Sequence, residues 1–599
     1  MAVLTTLRTA TACPPSGLHP YIDTPDFAYD QWLSYLGENP IGGNLPGSPS
    51  VAVIGGGASG LCAAYELQRA GCSVYVYEQE SEVGGRCASH RFSTLSPDVA
   101  EMGSMRFPPT EFILDYYMKK FGILPGGLCS QPDFPDPGVA LTYVCYGAGP
   151  IPPPWLKTKN TPYPAGFKTV AEGWGAFYDD GFDGLPGAPT ITKALAAGTK
   201  KGIDDATTYW RNYLKRFGQQ TFYGALNEIF TSASPPGGKK WTFEDFDRFG
   251  ALGLGSGGFG PLYPISFMDI FRLLVNELET TQKFLQPSNT LKNGIRTLPL
   301  TFADKIGPNY VQTGAVIKRI VPSNTGLSFK LIRKDGHQYG PFDRVIVATT
   351  TRAMEVSLGL TAYSPRLVSP AVAQAIMRTH VVSSNKVAAR IKNFWSHDRK
   401  AIRCLQTDDL VHQVYTLDYT PLGAPIFDPT GVCFISYVWD DDAVKQQAIT
   451  SGQPTGPADN KLLYNYLLDR LATIGEPVAS WAKTNLQPLD DDYANNVMFE
   501  EWQSSPYFAG AFKLSQPGQD KYVQQMFFDY QKCLEGAPAD TGVYIAGDCV
   551  SWTSGWVEGA LTTGLNAAAG VFKSLRGTLN PDANGQTPLK IDAKRYTYF

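Results

Sequence analysis

Three glycines near the start of the chain have the spacing of a dinucleotide-binding loop. Gly55, Gly57 and Gly60 follow the apolar, β-branched run at 51–54. In such a loop the first glycine permits a tight strand-to-helix turn, the second lets the backbone approach a pyrophosphate, and the third lets helix and strand pack closely. The helix that follows would offer its free N–H groups and the positive end of its dipole to the phosphates.

The residues after this loop complete the pattern. A helical repeat is followed by a second strand at 74–77, and that strand leads directly to Glu78, whose carboxylate can accept hydrogen bonds from ribose hydroxyls. A lone glycine motif is also typical of ordinary loops. Here strand, loop, helix, strand and acid all occur in the required order, so the sequence predicts dinucleotide binding.

Length and composition indicate a large enzyme with several lobes. The chain has 599 residues, 43% of them hydrophobic, and a net charge of -4, which gives no basic footprint for nucleic acid. No apolar run is long enough to cross a bilayer, and the N-terminus lacks the features of a signal peptide. The ten cysteines and six histidines are scattered without metal spacing. We therefore expect a cytoplasmic homodimer with reduced thiols, no metal, and neither nucleic acid nor membrane as partner.

Strand and helix patterns divide the chain into alternating pieces. Strands at 344–349 and 542–548 are expected to return to the dinucleotide sheet. The predicted fold class is α/β (α+β), with a Rossmann-like domain assembled from separated segments, a mixed-sheet substrate-binding domain and a helical lobe. The expected boundaries are 1–48 for an N-terminal arm, 49–110, 295–352 and 536–577 for the dinucleotide domain, 111–165 and 353–535 for the substrate-binding domain, 166–294 for the helical lobe, and 578–599 for a C-terminal tail.

Six motifs in a fixed order carry a resemblance to a known family. They lie at 101–109, 249–259, 383–386, 436–442, 510–514 and 547–560. With these motifs and Glu-Val-Gly-Gly-Arg at 82–86, the chain resembles the flavin amine oxidase superfamily, and within it the bacterial L-amino acid 2-monooxygenase/oxidase group. The resemblance implies that the dinucleotide is FAD, bound without a covalent link.

The resemblance also implies roles for individual residues. Arg106 holds the substrate α-carboxylate, helped by the phenol of Tyr437; a guanidinium suits this task because it offers a planar, bidentate fork. Lys386 holds a water against flavin N5, although a lysine in this setting is otherwise typical of an exposed strand edge. Trp502 and Trp556 form aromatic walls beside the flavin.

Further contacts follow from the same motifs. The carbonyl of Gly555 is expected to accept a hydrogen bond from the substrate amine, Asp548 to bind the flavin ribityl chain, and Glu78 to bind the adenosine ribose. The other expected FAD contacts are Gly55, Gly57, Ser59, Gly60, Gly85, Arg86, Ser104, Met105, Arg106, Val316, Trp556 and Val557.

The implied reaction removes hydrogen from Cα of an L-amino acid in its neutral-amine form, with hydride passing to the flavin and O₂ reoxidising it. The imino acid either escapes, giving keto acid, ammonia and H₂O₂, or is decarboxylated and oxygenated in place to the amide.

Arg106 and Tyr437 argue against a monoamine or polyamine oxidase, which needs no carboxylate clamp. A non-catalytic protein on this fold, like the Rab escort proteins, is disfavoured by the intact flavin motifs.

Leu262 indicates the substrate class. Lysine-specific members of the family have an acid at the aligned position, and burying an unpaired lysine ammonium against leucine would be costly. An aromatic ring there would instead gain apolar burial. We therefore expect phenylalanine, tyrosine or tryptophan to be preferred, with lysine or arginine as the alternative. The acids that could serve a basic side chain, Glu277 and Glu279, are expected on the solvated face of a helix over 268–279.

Overall fold

A computed structural model describes residues 40–580 of the protein, apart from 94–97, 137–138, 148–154, 158–160, 198, 254–257, 280–281, 325–327, 365, 397, 399, 420–429, 451–456 and 529–540. Most of the expected N-terminal arm and C-terminal tail therefore lies outside the described residues, as does part of the motif at 249–259. Within the described part, no helix has the length and apolar character needed to span a membrane.

A five-stranded parallel sheet forms the centre of the nucleotide domain. Neighbouring strands are parallel throughout, and the strand interiors are almost wholly apolar because both faces are covered. The pieces come from the beginning, middle and end of the chain, which confirms the predicted Rossmann-like domain built from separated segments. From edge to edge the strands are Val543–Ile545, Arg344–Val347, Ser50–Ile54, Ser73–Tyr77 and Val311–Gln312.

Helices and a small antiparallel sheet surround this parallel sheet. The small sheet packs its aromatic side chains against Tyr77. Its strands are Ile317–Pro322, Phe329–Arg333 and Gln338–Phe342. The helices of this region are Ala58–Arg69, Phe112–Lys120, Thr297–Ile306, Thr351–Val356, Pro370–Arg378, Asp520–Phe528 and Val557–Ser574.

Two of these helices cap each other with buried glutamates. The Glu558 carboxylate accepts hydrogen bonds from the backbone N–H groups of Ile113 and Leu114, each at 2.9 Å. Glu111 in turn accepts from the backbone N–H of Glu558 at 3.0 Å. Because a carboxylate at a helix N-terminus satisfies free N–H groups and the helix dipole, this exchange fixes the helix that begins directly after Trp556.

A seven-stranded mixed sheet forms the second large layer. All of its neighbouring strands are antiparallel except Cys404–Thr407 and Thr142–Cys145, which run parallel. Its order is Val497–Glu501, Ser384–Lys392, Thr430–Trp439, Gln413–Leu417, Cys404–Thr407, Thr142–Cys145 and Trp155–Lys157. Its helices are Asp440–Ile449, Pro457–Thr473, Val478–Asn485 and Tyr493–Asn496. Three two-stranded ribbons complete the strands: Ser89–Arg91 with Val99–Glu101, Val381–Val382 with Phe512–Lys513, and Gly42–Gly43 with Thr578–Leu579.

The third region is a helical lobe with an aromatic core. Rings of Trp174, Tyr213, Phe249 and Phe271 are among those buried at its centre. Its helices are Ala165–Asp180, Ala188–Ala196, Lys200–Phe217, Phe222–Phe230, Phe243–Leu252 and Phe267–Val275. The last helix is shorter than the predicted 268–279, because the chain leaves the helical conformation after Val275. The exact domain boundaries stay a prediction.

The cysteines depart from expectation at one position. Seven described cysteines are free and buried, but Cys129 is disulfide-bonded. The prediction of reduced thiols is therefore wrong at Cys129, because spacing along the sequence does not show which cysteines the fold brings within bonding distance.

A buried ion network joins the helical lobe to a distant part of the chain. Arg272 is 1% exposed, and its guanidinium lies 2.7 Å from the Asp269 carboxylate and 3.3 Å from that of Asp520. Asp269 also accepts a hydrogen bond from the backbone N–H of Ser515 at 2.5 Å. Charges buried away from water require partners, so the network fixes how the lobe meets the segment around 513–520.

Replacing Arg272 by methionine should therefore destabilise the protein strongly. The variant keeps most of the side-chain volume but removes the guanidinium from two buried carboxylates, which then have only Lys513 as a cation. This should cost about 3–5 kcal/mol in the free energy of unfolding. Denaturant unfolding of the two proteins measures the difference. Arg319→Met, at an exposed strand position, is the control and should change stability by no more than about 0.5 kcal/mol. Equal losses in the two variants would contradict the assigned role of the network.

Candidate active site

A cavity of about 330 Å³ lies where the parallel sheet, the seven-stranded sheet and the helical lobe meet. Its lining includes every residue predicted for the site except Gly60 and Val316. Gly60 packs the helix against the strand, and the neighbours of Val316, Ala315 and Ile317, line the cavity in its place. The fold thus brings residues from widely separated motifs to one space.

The glycine loop has the geometry that each glycine was expected to allow. Gly55 has φ 111°, and a β-carbon there would lie 2.4 Å from the carbonyl oxygen of Ala348. A β-carbon at Gly60 would lie 2.1 Å from the carbonyl oxygen of Gly55. At Gly57 the nearest atom to such a carbon is the carbonyl oxygen of Gly84, at 4.0 Å. Protein atoms therefore leave no room for a side chain at Gly55 or Gly60, whereas Gly57 faces open space in the cavity.

The residues around this loop fit the phosphates and ribose of FAD. Helix Ala58–Arg69 has no side-chain cap at its N-terminus, so the N–H groups of its first turn remain for a ligand. The buried Glu78 carboxylate accepts hydrogen bonds from the backbone N–H groups of Gly56 at 2.6 Å and Glu80 at 2.8 Å. Burial raises the pKa of Glu78, and these hydrogen bonds oppose the rise.

Arg86 and Asp548 meet in the wall of the cavity. Their side chains form an ion pair, and the Arg86 guanidinium also donates a hydrogen bond of 2.6 Å to the carbonyl of Ala511. Asp548 accepts a further hydrogen bond from the backbone N–H of Gly555 at 3.4 Å. Gly555 has φ 82°, a conformation that favours glycine. The second glycine motif and the last motif of the chain are thereby held together.

Arg106 lies among aromatic rings and one acid. Its guanidinium carbon is 4.2 Å from the ring centre of Phe134, 4.9 Å from that of Tyr415 and 6.0 Å from that of Tyr437. Its nearest carboxylate is Asp136, at 3.5 Å. The rings hold the guanidinium by cation–π contact, and Arg106 also hydrogen-bonds with Tyr415 and Asp136. A guanidinium has five N–H donors, so donors remain for another carboxylate.

Glu279 corrects one sequence prediction, because it lines the cavity instead of facing solvent. Its carboxylate accepts a hydrogen bond of 3.0 Å from Gln282. Burial raises the pKa of Glu279 to about 7, against the opposing effect of Arg106. The physical reason is the early end of the helix at Val275. Glu277 then takes a left-handed conformation with φ 54°, which turns the chain toward the site.

Lys386 is a buried amine rather than an exposed strand-edge charge. It is 2% exposed, because its strand lies inside the seven-stranded sheet with a neighbour on each side. Its amine donates hydrogen bonds to the backbone carbonyls of Glu101, at 3.2 Å, and Gly103. Burial lowers the pKa of Lys386 well below its ordinary value, and the nearby Arg106 guanidinium lowers it further. Burial and Arg106 therefore both shift Lys386 toward the neutral amine, while Glu101 and Glu500 act against this shift.

The remaining walls of the cavity are mainly apolar. Trp502 is buried and Trp556 is half-buried where they line the space near the glycine motifs. At the helical lobe the wall is formed by Trp174, Phe259, Leu262, Ile270 and Leu274. The sequence analysis missed Phe134, Asp136 and Tyr415, since no local motif marks a residue that contacts the site only through tertiary packing.

Comparison with known proteins identifies this arrangement. The family model for flavin containing amine oxidoreductases matches residues 58–572. The tryptophan 2-monooxygenase of Pseudomonas savastanoi is 37% identical, over 89% of this chain and 91% of its own length. That of Pantoea agglomerans pv. gypsophilae is 35% identical, over 92% and 95%. A phenylalanine 2-monooxygenase precursor from Pseudomonas sp is 24% identical, over 92% and 91%.

Solved structures share the fold. A mutant of putrescine oxidase superposes with a TM-score of 0.60 at 17% identity, covering 88% of this chain and 99% of its own. Cyclohexylamine oxidase from Brevibacterium oxydans superposes with a TM-score of 0.51 at 16% identity, covering 88% and 100%. At this identity the likeness concerns the fold.

Replacing Gly57 by valine should remove flavin without unfolding the protein. Gly57 has φ -79° and ψ 179°, which any residue adopts, and its side chain would enter open space. The branched group would occupy the place where phosphates approach the helix N-terminus. The measurement is visible flavin absorbance per mole of purified protein, together with thermal unfolding of the flavin-free form.

Gly60→Val is the matched comparison. Its β-carbon would collide with the carbonyl of Gly55, so this variant should lose stability as well as flavin. A Gly57→Val protein that keeps a full complement of flavin would contradict the assignment of this loop.

Proposed function

We propose that this chain, which belongs to the flavin containing amine oxidoreductase family, oxidises an L-amino acid at its α-carbon. The observation that carries the proposal is the position of Arg106. A guanidinium held by aromatic rings, with five N–H donors shared between Tyr415, Asp136 and the cavity, lines the same space as the FAD-binding loop. Such a fork binds a carboxylate, which amino acids have and simple amines lack. The relatives named tryptophan and phenylalanine 2-monooxygenase support the same substrate class.

The cavity residues orient the substrate for this reaction. Arg106 and the phenol of Tyr437 hold the α-carboxylate, and the carbonyl of Gly555 accepts a hydrogen bond from the amine. Trp502 and Trp556 exclude water around Cα, which keeps the amine and the reacting carbon in one geometry. Bound FAD supplies the redox chemistry, since it accepts a hydride equivalent from Cα and passes it to O₂.

FAD is proposed to be held without a covalent bond. Gly57, Glu78, Arg86 and Asp548 provide polar contacts for its phosphates, ribose and ribityl chain, and no Cys or His of a known flavin-linkage motif lies near Gly555. Acid denaturation followed by centrifugation should therefore leave all of the yellow colour in the supernatant. Flavin that stays with the precipitated polypeptide would show a covalent link.

Arg106→Ala should lose most of its activity toward amino acids while it retains FAD. A substrate carboxylate in a desolvated site without its cation should raise the activation free energy that kcat/KM reports by about 2–5 kcal/mol. Steady-state kinetics and flavin content measure the two effects. Arg106→Lys keeps the charge but lacks the planar fork. Its kcat/KM for amino acids should therefore lie between those of Arg106→Ala and the wild type.

The same experiment separates the proposal from an amine oxidase. The wild type should prefer an amino acid to the amine formed by its decarboxylation, and Arg106→Ala should remove that preference. An unchanged kcat/KM for amino acids in Arg106→Ala would exclude the carboxylate clamp.

An aromatic or large apolar amino acid is the proposed substrate. Leu262 and its neighbours give the helical-lobe end of the cavity an apolar wall, against which an aromatic ring gains burial. The second candidate, a basic amino acid, is favoured by the carboxylates of Asp136 and Glu279. Both carboxylates lie beside Arg106 and balance its charge, so we place them with the carboxylate clamp instead of the side-chain pocket.

A screen of the twenty L-amino acids should rank phenylalanine, tyrosine or tryptophan above lysine and arginine by about tenfold or more in kcat/KM. H₂O₂, keto acid and amide are measured in the same reactions. The first two report oxidase turnover and the amide reports monooxygenase turnover. Glu279→Gln is the matched variant: because Glu279 is placed with the carboxylate clamp, the change should alter kcat/KM for aromatic and basic substrates by a similar factor. If a basic amino acid ranks first and Glu279→Gln abolishes its oxidation, the second candidate replaces the first.

A further inference from the structure

We propose that Glu500 and His90 form a proton path that connects Lys386 with solvent during turnover. The inference rests on the proposed oxidation chemistry, and it assigns a function to a residue that does not line the cavity. Glu500 acts through Lys386, so it is a positioning and proton-relay residue and does not touch the substrate.

Strand register places Glu500 beside Lys386. The two residues are directly opposite each other in the antiparallel pair formed by strands Ser384–Lys392 and Val497–Glu501. Opposite residues in such a pair point to the same face of the sheet, with β-carbons about 4.5–5.5 Å apart. The next residue, Glu501, points to the other face, opposite Asn385.

Exposure to solvent increases along the path. Lys386 is 2% exposed, the Glu500 side chain 27% and the His90 side chain 41%. The imidazole Nε2 of His90 lies 3.8 Å from the Glu500 carboxylate. His90 belongs to the ribbon Ser89–Arg91, whose partner strand ends at Glu101, the residue whose carbonyl holds the Lys386 amine. One ribbon therefore contacts both ends of the path.

The hydrogen bonds of the Lys386 amine determine which part of it remains available for proton transfer. A neutral amine has two N–H groups and one lone pair. Both N–H groups can be donated to the backbone carbonyls of Glu101 and Gly103. The lone pair is then available to accept a proton, so Lys386 is arranged as a base.

The surroundings of the path shift the pKa values of its groups. Burial raises the pKa of Glu500 to about 7, while Lys386 lowers it and Glu501 raises it. Burial lowers the pKa of His90, as does Arg296, against the effect of Glu82. Facing Lys386 are Arg106, Glu101 and Glu500, and facing Glu500 from the loop after Glu78 is Glu80. Proton transfer is efficient when donor and acceptor have pKa values near the working pH.

The oxidase reaction needs one proton to leave the cavity and one to return. The substrate ammonium loses a proton to become the neutral amine, whose Cα releases a hydride equivalent to FAD. Reduction of O₂ to H₂O₂ consumes that hydride equivalent and one proton. Lys386 takes up the first proton, water molecules carry it to Glu500 and from Glu500 to His90, and His90 exchanges it with solvent. The same groups return a proton for H₂O₂, so the count of protons and electrons balances.

The experiment compares Glu500→Gln with the wild-type holoenzyme in both half-reactions. Anaerobic stopped-flow mixing with substrate gives the rate of flavin reduction, and mixing of the reduced enzyme with O₂ gives the rate of reoxidation. Reoxidation in Glu500→Gln should be slower on the order of 10–100-fold. In the wild type this rate should fall as pH rises through about 7, where Glu500 loses its proton, and Glu500→Gln should lack that titration.

Chemical rescue distinguishes a relay from a structural effect. Glu500→Ala leaves space at a partly exposed position, so added formate should restore the reoxidation rate in this variant and leave the wild type unchanged. Glu501→Gln, on the same strand but the opposite face, should keep both rates and the Glu500 titration, with its midpoint moved to lower pH because Glu501 raises the pKa of Glu500. Flavin content and melting temperature should be the same in all variants.

Three outcomes would overturn the inference, and Lys386→Met separates the first two. If Lys386→Met is slow in reoxidation but Glu500→Gln has wild-type rates and pH dependence, the path through Glu500 is wrong while the role of Lys386 stands. If Lys386→Met reoxidises at the wild-type rate, the proposed role of Lys386 fails and the path fails with it. An absence of rescue by formate together with a lowered melting temperature would reduce Glu500 to a structural residue.

Discussion

Ion pairs between arginine and carboxylate groups, removed from water, hold the site together. Arg86 joins the second glycine motif to Asp548 in the last motif, and Arg272 joins the helical lobe to Asp520. A buried pair adds little net stability, but breaking it leaves a charge without solvent or partner, which costs several kcal/mol. These pairs therefore act mainly by making any other arrangement of the chain segments unfavourable. The segments that form the cavity are far apart in sequence, and all charges are satisfied only when the segments meet.

The same lack of water sets the protonation states inside the site. Burial lowers the pKa of Lys386 well below its ordinary value and raises the pKa values of Glu101, Glu279 and Glu500 to about 7. Arg106 keeps its charge, because a guanidinium does not lose its proton in proteins. Around the carboxylate clamp the walls thus present one lasting cation among groups that can be neutral. An incoming carboxylate is drawn to that cation, while the neutral groups remain free to exchange protons.

How much could be predicted from the sequence depended on how local the signal was. The glycine loop and Glu78 were recognisable because strand, turn, helix and acid follow one another within about thirty residues. Glu279 was misplaced because nothing in its neighbours shows that the helix stops at Val275. Glu500 was missed because its relation to Lys386 comes from the register of two strands more than a hundred residues apart. The lowered pKa of Lys386 likewise comes from burial, which a motif does not show.

Carboxylate binding and base strength are coupled through Arg106. The guanidinium lowers the pKa of Lys386, and an α-carboxylate bound to Arg106 would cancel most of that charge. Because the two N–H groups of Lys386 can be held by carbonyls, the resulting rise in pKa would strengthen the lone pair as a proton acceptor. The base would thus become stronger when the substrate ammonium has to lose its proton. An amine without a carboxylate would leave the guanidinium charge in place and Lys386 weakly basic, so the proposed clamp would select amino acids through proton transfer as well as through affinity.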